Sequence, residues 1–256
     1  MVRVIMHGCN GRMGQVITEM IAKEAEMEIV AGVDVSDSVH NTYPVFKTLK
    51  DCDVEADVVI DFANAKAVDG LLDTCVAKNL PCVLCTTGLS EEQLAHVKEA
   101  SGKVAILRSA NMSMGINVLS ELCKRASAIL GANYDIEIVE QHHHNKLDAP
   151  SGTALMLADA INEENDGAYH YVYDRSAVRQ KRDPKEIGIS AVRGGSIVGD
   201  HEVLFCGPEE VVTISHVAQS RGVFANGAVQ AALFLDGCEP GYYTMTDMLK
   251  GKMQCL

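Results

Sequence analysis

Close to the N-terminus an apolar run, Val2 to Met6, breaks into Gly8-Cys9-Asn10-Gly11-Arg12-Met13-Gly14 and passes at once into a helical pattern. Few architectures accommodate that juncture. Met13, Val16, Ile17, Met20 and Ile21 recur at the i, i+3, i+4 spacing of one helical face. Glycines on a strand-to-helix turn let backbone approach a ligand, and the N–H groups and dipole of the helix start favour an anion such as a pyrophosphate. The spacing is G-x-x-G-x-x-G rather than the commoner G-x-G-x-x-G, and alone it is weak evidence against a merely structural turn. A second strand, Glu28 to Val33, tips the balance. It ends at Asp34, twenty positions beyond Gly14, where a carboxylate accepts both hydroxyls of an adenosine ribose. The same carboxylate repels a 2′-phosphate, and Val35, Ser36 and Asp37 bring no Arg or Lys to offset it, so NADH is expected in preference to NADPH.

Further strands at Ala56 to Phe62, Pro81 to Cys85 and Val104 to Leu107 alternate with helices over Ala67 to Lys78 and from Ser90 through Ala100. Ser90 and Gln93 form a capping box for the second of these. Alternation of this kind implies right-handed βαβ units and a parallel sheet. After about Asn111 the texture changes to α+β. Tyr134 to Glu140, Ile187 to Arg193, Glu202 to Cys206 and Val211 to Val217 read as strands close enough in sequence to pair antiparallel, and Thr153 to Ile161 as a helix. Glu163 to Asp183 is polar and reads as an exposed excursion. Ala228 to Leu235 is a helix too apolar to stand alone, expected to return to the first domain.

Composition narrows the function. The chain has 256 residues with 35 acidic against 22 basic side chains, a formal charge of −13 that repels phosphate backbones, so nucleic acid is not an expected partner. Its apolar stretches fall short of the roughly 20 residues needed to cross a bilayer, and the N-terminus shows no signal-peptide pattern. Nine scattered Cys suit free thiols in a reducing cytoplasm. The C-x-x-C at Cys82 to Cys85 lies within an apolar strand and reads as packing, not redox or zinc chemistry.

The richest stretch is Glu140 to Ala154, EQHHHNKLDAPSGTA, a strand end leading through Pro150 into a helix that opens Ser151-Gly152-Thr153. Backbone donors at that helix start suit a substrate carboxylate. His is suited to proton exchange near neutral pH, and Lys146 adds a second donor and a positive charge. Read as a metal site the stretch is poor, because in an extended chain His142 and His144 share one face while His143 points away, leaving two ligands. A solvated loop without chemistry is the remaining plain alternative.

With these residues in view, the chain resembles the 4-hydroxy-tetrahydrodipicolinate reductase (dihydrodipicolinate reductase) family of bacterial and plant lysine biosynthesis over essentially its whole length. The likeness rests on GRMG at Gly11 to Gly14, TTG at Thr86 to Gly88, NMSMGIN at Asn111 to Asn117, HHHNKLDAPSGTA at His142 to Ala154, GGSIVGDH at Gly194 to His201 and SRGVFANGA at Ser220 to Ala228. It implies a Rossmann-type α/β nucleotide-binding domain, residues 1–112 with 222–256, and an α+β substrate-binding and tetramerisation domain, residues 113–221. It further implies that Gly8, Cys9, Asn10, Gly11, Arg12 and Met13 hold the pyrophosphate and Asp34 the ribose. Cys85, Thr86 and Thr87, with Ser109, Ala110, Asn111 and Met112, would line the nicotinamide side. His142 would donate and accept a proton, Lys146 would be a second donor, and His143, Ser151, Gly152 and Thr153 would bind substrate carboxylate. No metal is implied. The activity implied is NAD(P)H-dependent reduction of 4-hydroxy-2,3,4,5-tetrahydrodipicolinate, with loss of water, by a homotetramer. Cys85 departs from the family's usual Gly, and its side chain is expected either to narrow the cofactor channel or to shift the backbone contact there. A homoserine-type or sugar dehydrogenase, or a non-catalytic dinucleotide sensor, would explain the glycine turn but not the His142 to Thr153 run.

Overall fold

The computed structural model describes residues 1–109 and 111–253. In chain order the main elements are β1 (Val2–His7), α1 (Arg12–Ile21), β2 (Met27–Val33), β3 (Val45–Phe46), β4 (Val58–Asp61), α2 (Val68–Lys78), β5 (Cys82–Leu84), α3 (Glu91–Ser101) and β6 (Ala105–Arg108). There follow α4 (Met114–Leu130), β7 (Asp135–His142), α5 (Gly152–Glu164), β8 (His170–Val172), β9 (Glu186–Arg193), β10 (Asp200–Cys206), β11 (Val211–Val217), α6 (Gly222–Leu235), β12 (Gly241–Tyr243) and α7 (Met245–Met253). They form two compact units, residues 1–114 with 222–256, and residues 115–221.

In the first unit seven strands pair in the order β12-β6-β5-β4-β1-β2-β3, all parallel. From β3 to β6 this is the 3-2-1-4-5-6 order of a doubly wound sheet, whose switch point, between β1 and β4, is where such sheets bind ligands. Both faces are buried, which is why the strands read as unbroken apolar runs. Val4, Met6, Val58, Ile60 and Leu107 pack with α1 and α6 on one face; Ile5, Val59, Leu84 and Ile106 pack with α2 and α3 on the other. The Ser90–Gln93 capping box forms as the sequence indicates. Helix α6 starts six residues before the apolar stretch announces it, because Asn226 and Gly227 interrupt the pattern. Gly227 has a packing reason: a Cβ there would lie 1.6 Å from the Met112 carbonyl oxygen.

The second unit is a five-stranded sheet, order β11-β10-β7-β9-β8, with one face covered by α4 and α5. Strand β10 runs antiparallel to β11 and β7. The antiparallel expectation fails at β9, which pairs parallel to β7 and to β8. The stretch expected as an exposed excursion, Glu163 to Asp183, is largely exposed, but it also carries the end of α5 and β8, and two of its arginines fasten it to the sheet. Arg175 and Arg182 both bond the Glu137 carboxylate, and Arg175 also bonds the nearly buried Glu186.

Candidate functional site

The first unit presents a cleft of about 850 Å³ at the carboxyl ends of β1, β2 and β4. Gly8 and Gly11 line it together with Asp34, Val35, Ala63, Asn64 and four lysines, Lys47, Lys50, Lys66 and Lys78. Two glycines of the turn are demanded by geometry. Gly8 has φ +83 and a Cβ there would meet the Phe62 carbonyl oxygen at 2.7 Å; a Cβ on Gly14 would lie 2.3 Å from the Gly8 oxygen. That tightness sets the start of α1 close against β1. The loop's own N–H groups are spent on holding its shape: Gly8 and Cys9 donate to Val33 O, Gly11 to Gly8 O, and Asn10 to Asp34 Oδ2 at 2.9 Å. The first bond of the helical ladder is Gln15 N–H to Gly11 O, so the N–H groups of Arg12, Met13 and Gly14 lie before it, and donors at a helix start suit the cradle of an anion. Cradle, carboxylate and cleft fit a dinucleotide.

Several expectations are adjusted here. Cys9 is fully buried among core residues, so only its backbone belongs to the loop. Asn10 clamps the loop instead, donating to Ser36 O at 2.6 Å and accepting from Asn41 at 2.7 Å. Cys85 does not reach into a channel. Its thiol packs in the core and leans on Val83 O, and burial, then the charge of Asp61, raises it well above an ordinary thiol. Thr86 is buried and its Oγ1 finds no partner among the described residues, while Thr87 is exposed. Ser109 and Asn111 bond each other, Asn111 and Met112 are buried, and Ala110 lies outside the described residues.

Two residues were not visible as site residues in the sequence. His7 lines the cleft at the end of β1, its Nδ1 2.6 Å from Oδ1 of the fully buried Asp61 on β4. Lys47 follows β3, and the parallel pairing of β3 with β2 brings its Nζ to within 3.0 Å of Val35 O, beside Asp34. A reading of the residues next to Asp34 in sequence cannot find a cation that arrives from the neighbouring strand.

The second unit gathers the histidine stretch. His142 ends β7 at 8% exposure, its Nδ1 2.6 Å from Oε2 of Glu140, which is wholly buried. Its ring meets His201 edge-on at 5.2 Å. Burial pushes His142 below the usual histidine range, Glu140 opposes this, and the charges of Lys146 and Arg193 add to the lowering. His201 is pushed down to about 4, by burial first and then by His142. Lys146 is held at 2.9 Å by Asp148. His143 is half-buried, with Nδ1 unpartnered among the described residues. The chain leaves the strand at His142, so His144 is exposed and does not share its face as an extended run would require.

Ser151 is spent on structure. Its N–H donates to Glu140 Oε1, its Oγ caps α5 by accepting from Ala154 N–H, and the same Oγ lies 2.9 Å from His201 Nε2. The helix start is exposed at Gly152, with Thr153 beside it, so those two carry the carboxylate-binding expectation. Among the described residues no group of three His, Cys, Asp or Glu is placed to hold a metal ion, and no helix is long and apolar enough to cross a membrane.

A family model described as dihydrodipicolinate reductase, N-terminus, matches residues 2–112, and one described as its C-terminus matches residues 115–249. The 4-hydroxy-tetrahydrodipicolinate reductase of Caldanaerobacter subterraneus subsp. tengcongensis is 54% identical over 98% of this chain and 99% of its own length. That of Clostridium tetani is 48% identical over 97% of each. A solved structure, dipicolinate-bound dihydrodipicolinate reductase from Paenisporosarcina sp. TG-14, matches with TM-score 0.81 at 26% identity, covering 95% of this chain and 97% of that one.

Proposed function

The chain belongs to the dihydrodipicolinate reductase family, and from that premise we propose how its residues carry out the pyridine-nucleotide-dependent reduction of 4-hydroxy-tetrahydrodipicolinate in lysine and diaminopimelate biosynthesis. A reduced nicotinamide, when bound, supplies the hydride. The first turn of α1 at Arg12 and Met13 holds the diphosphate, and the Asp34 carboxylate takes the adenosine ribose. Thr86 and Thr87, with Ser109, Asn111 and Met112, line the nicotinamide side, where Thr86 Oγ1 has no partner among the described residues. NADH is the preferred cofactor because Asp34 repels a 2′-phosphate, and Lys47 moderates that repulsion.

Loss of water from the hydroxylated ring leaves a conjugated imine. Hydride addition to it pushes electron density onto the ring, which then needs a proton. His142 moves that proton at Nε2, since its Nδ1 is committed to Glu140. Lys146 is the second donor and keeps the site cationic for a dianionic ring. Gly152 and Thr153, at the start of α5, clamp one carboxylate, with His143 beside them. The enzyme works as a homotetramer joined through the sheet of the second unit, in a cytoplasm whose reducing conditions suit its free thiols.

The observation that carries this reading is the buried Glu140–His142 pair on the strand that runs into the α5 start. It is tested by adding freshly made 4-hydroxy-tetrahydrodipicolinate to enzyme and NADH and following the reduced-nicotinamide absorbance. The expected result is a decay that pyridine-2,6-dicarboxylate suppresses competitively. NADH that binds without being oxidised would indicate a sensor, and oxidation of homoserine or inositol with NAD would indicate another dehydrogenase.

A further inference from the structure

The GGSIVGDH motif, Gly194 to His201, has no part in the reaction as described so far, yet it encloses His142. Arg193, directly before it, grips Glu140 with both terminal nitrogens, Nη1 to Oε2 at 2.7 Å and Nη2 to Oε1 at 2.6 Å. With His142 Nδ1 on Oε2 and Ser151 N–H on Oε1, the wholly buried carboxylate receives four donors. Arg193 is itself anchored to Asp148 O and Val192 O. Gly199 passes His142 so closely that a Cβ would lie 2.9 Å from Nε2, so no side chain can stand over that nitrogen.

We infer that Glu140 and Arg193 are positioning residues for His142: Glu140 fixes the proton on Nδ1 and turns the Nε2 lone pair outward, while Arg193 claims the carboxylate's charge so that it orients the imidazole without making it an imidazolium. The inference rests on the reading of His142 as the proton-transfer residue. Its consequence is an order of events. The first proton that His142 handles is one it accepts at Nε2, the ring C–H proton released as water is lost, and it returns that proton to the ring after hydride transfer; the donor already charged at the outset is Lys146, which protonates the leaving hydroxyl.

The electrostatics agree. A buried carboxylate facing a lone imidazole would favour its protonated form. Here burial alone would raise Glu140, but the hydrogen bonds from Arg193, His142 and the Ser151 backbone outweigh it and hold the carboxyl below its usual range. The groups facing His142 are Glu140 on β7, Arg193 on β9, His201 on β10 with His216 behind it on β11, Lys146 and Asp148 on the loop, and Ser151 at the start of α5. Apart from Glu140, whose charge is paired, the net charge around the ring is positive or neutral.

The test combines variants with a measurement on the unmodified enzyme. In pH profiles of kcat/KM, Glu140→Gln is expected to move the His142 limb to lower pH and to reduce kcat roughly 10- to 100-fold, with KM for NADH within about twofold. Arg193→Met is expected to move the same limb to higher pH, and Arg193→Lys, which keeps the charge, to leave it near its original place. Shifts of the same sign in Glu140→Gln and Arg193→Met, or no shift in either, would overturn the inference. Nitrogen NMR of His142 in the unmodified enzyme at neutral pH covers the case of a variant that fails to fold. The expected spectrum shows a protonated Nδ1 and a bare Nε2; the opposite tautomer or an imidazolium contradicts the inference. If these outcomes hold while His142→Gln turns over normally, it is the assignment of His142 to proton transfer that fails and not the positioning.

Discussion

Lys47 alters what Asp34 can decide. A carboxylate at the end of β2 disfavours a 2′-phosphate, but Lys47 Nζ, 3.0 Å from Val35 O, sets a positive charge on the same rim of the cleft. Lys47→Ala is expected to lower kcat/KM with NADPH about tenfold, one charge-assisted hydrogen bond of about 1.4 kcal/mol, and to leave NADH within twofold. Steady-state assays with both cofactors check this, and equal losses would assign Lys47 to the fold alone. Side chains whose chemistry is local were legible beforehand. His142, Lys146, Gly152 and Thr153 fall in one continuous run, and Asp34 stands at a fixed distance from the glycine turn. Lys47, His7 and Arg193 acquire their roles through strand pairing, with partners 12, 54 and 53 residues away, and no local pattern encodes that. Ser151, Cys9 and Cys85 show the converse. Their residue types suit a ligand, but burial commits them to the protein.

The strands of the second unit carry a second message in their alternation. On β7, Ile136, Ile138, Glu140 and His142 face the helices, while Glu137, Val139 and Gln141 alternate onto the other face. There Val192 on β9 and Val211 and Val217 on β11 remain 44%, 56% and 62% exposed. These exposed valines lie on the uncovered face of the sheet, the face through which the proposed tetramer would be joined. If the protein is the proposed tetramer, Val192→Asp is expected to reduce its solution mass from about four times the chain's 27.6 kDa to that of smaller species, read by light scattering. An unmodified enzyme that runs as a monomer would remove this role from the face. Period-two alternation made β7 readable from the sequence, and the i, i+3, i+4 spacing made α1 readable. Helix α4 was not read, although Ile116, Leu119, Cys123 and Ser127 form its buried stripe, because Gly115 and Asn117 weaken the start of the pattern. Strand direction was legible in the first unit, where helices alternate with strands, and at β10 and β11, which a short connection joins, but not at β9. Strand β9 pairs parallel to β7 across a long sequence separation, Ile136 opposite Ile187, and no local pattern encodes that.

Acid sensitivity follows from the summed titration of the fold. His201, His142 and His216 are all lowered, each by burial first, so between about pH 6.5 and 4 the unfolded chain binds more protons than the folded one. Stability is then fully present above pH 6.5 and is lost as pH falls through the folded values. His201, at about 4, contributes at most about 3 kcal/mol of this, at 1.36 kcal/mol per unit. Thermal midpoints recorded across this range should fall steadily on acidification and fall less in His201→Gln; identical slopes would place the acid-sensitive groups elsewhere. The central claim is that cofactor binding belongs to the first unit and proton transfer to His142 in the second. It is tested most directly by measuring, for the unmodified enzyme and His142→Gln, both the NADH dissociation constant and the rate of NADH oxidation with 4-hydroxy-tetrahydrodipicolinate. The account predicts unchanged NADH affinity with kcat lowered by roughly 10² to 10⁴. Undiminished turnover in the variant, or a loss of NADH affinity that matches the loss of rate, would contradict it.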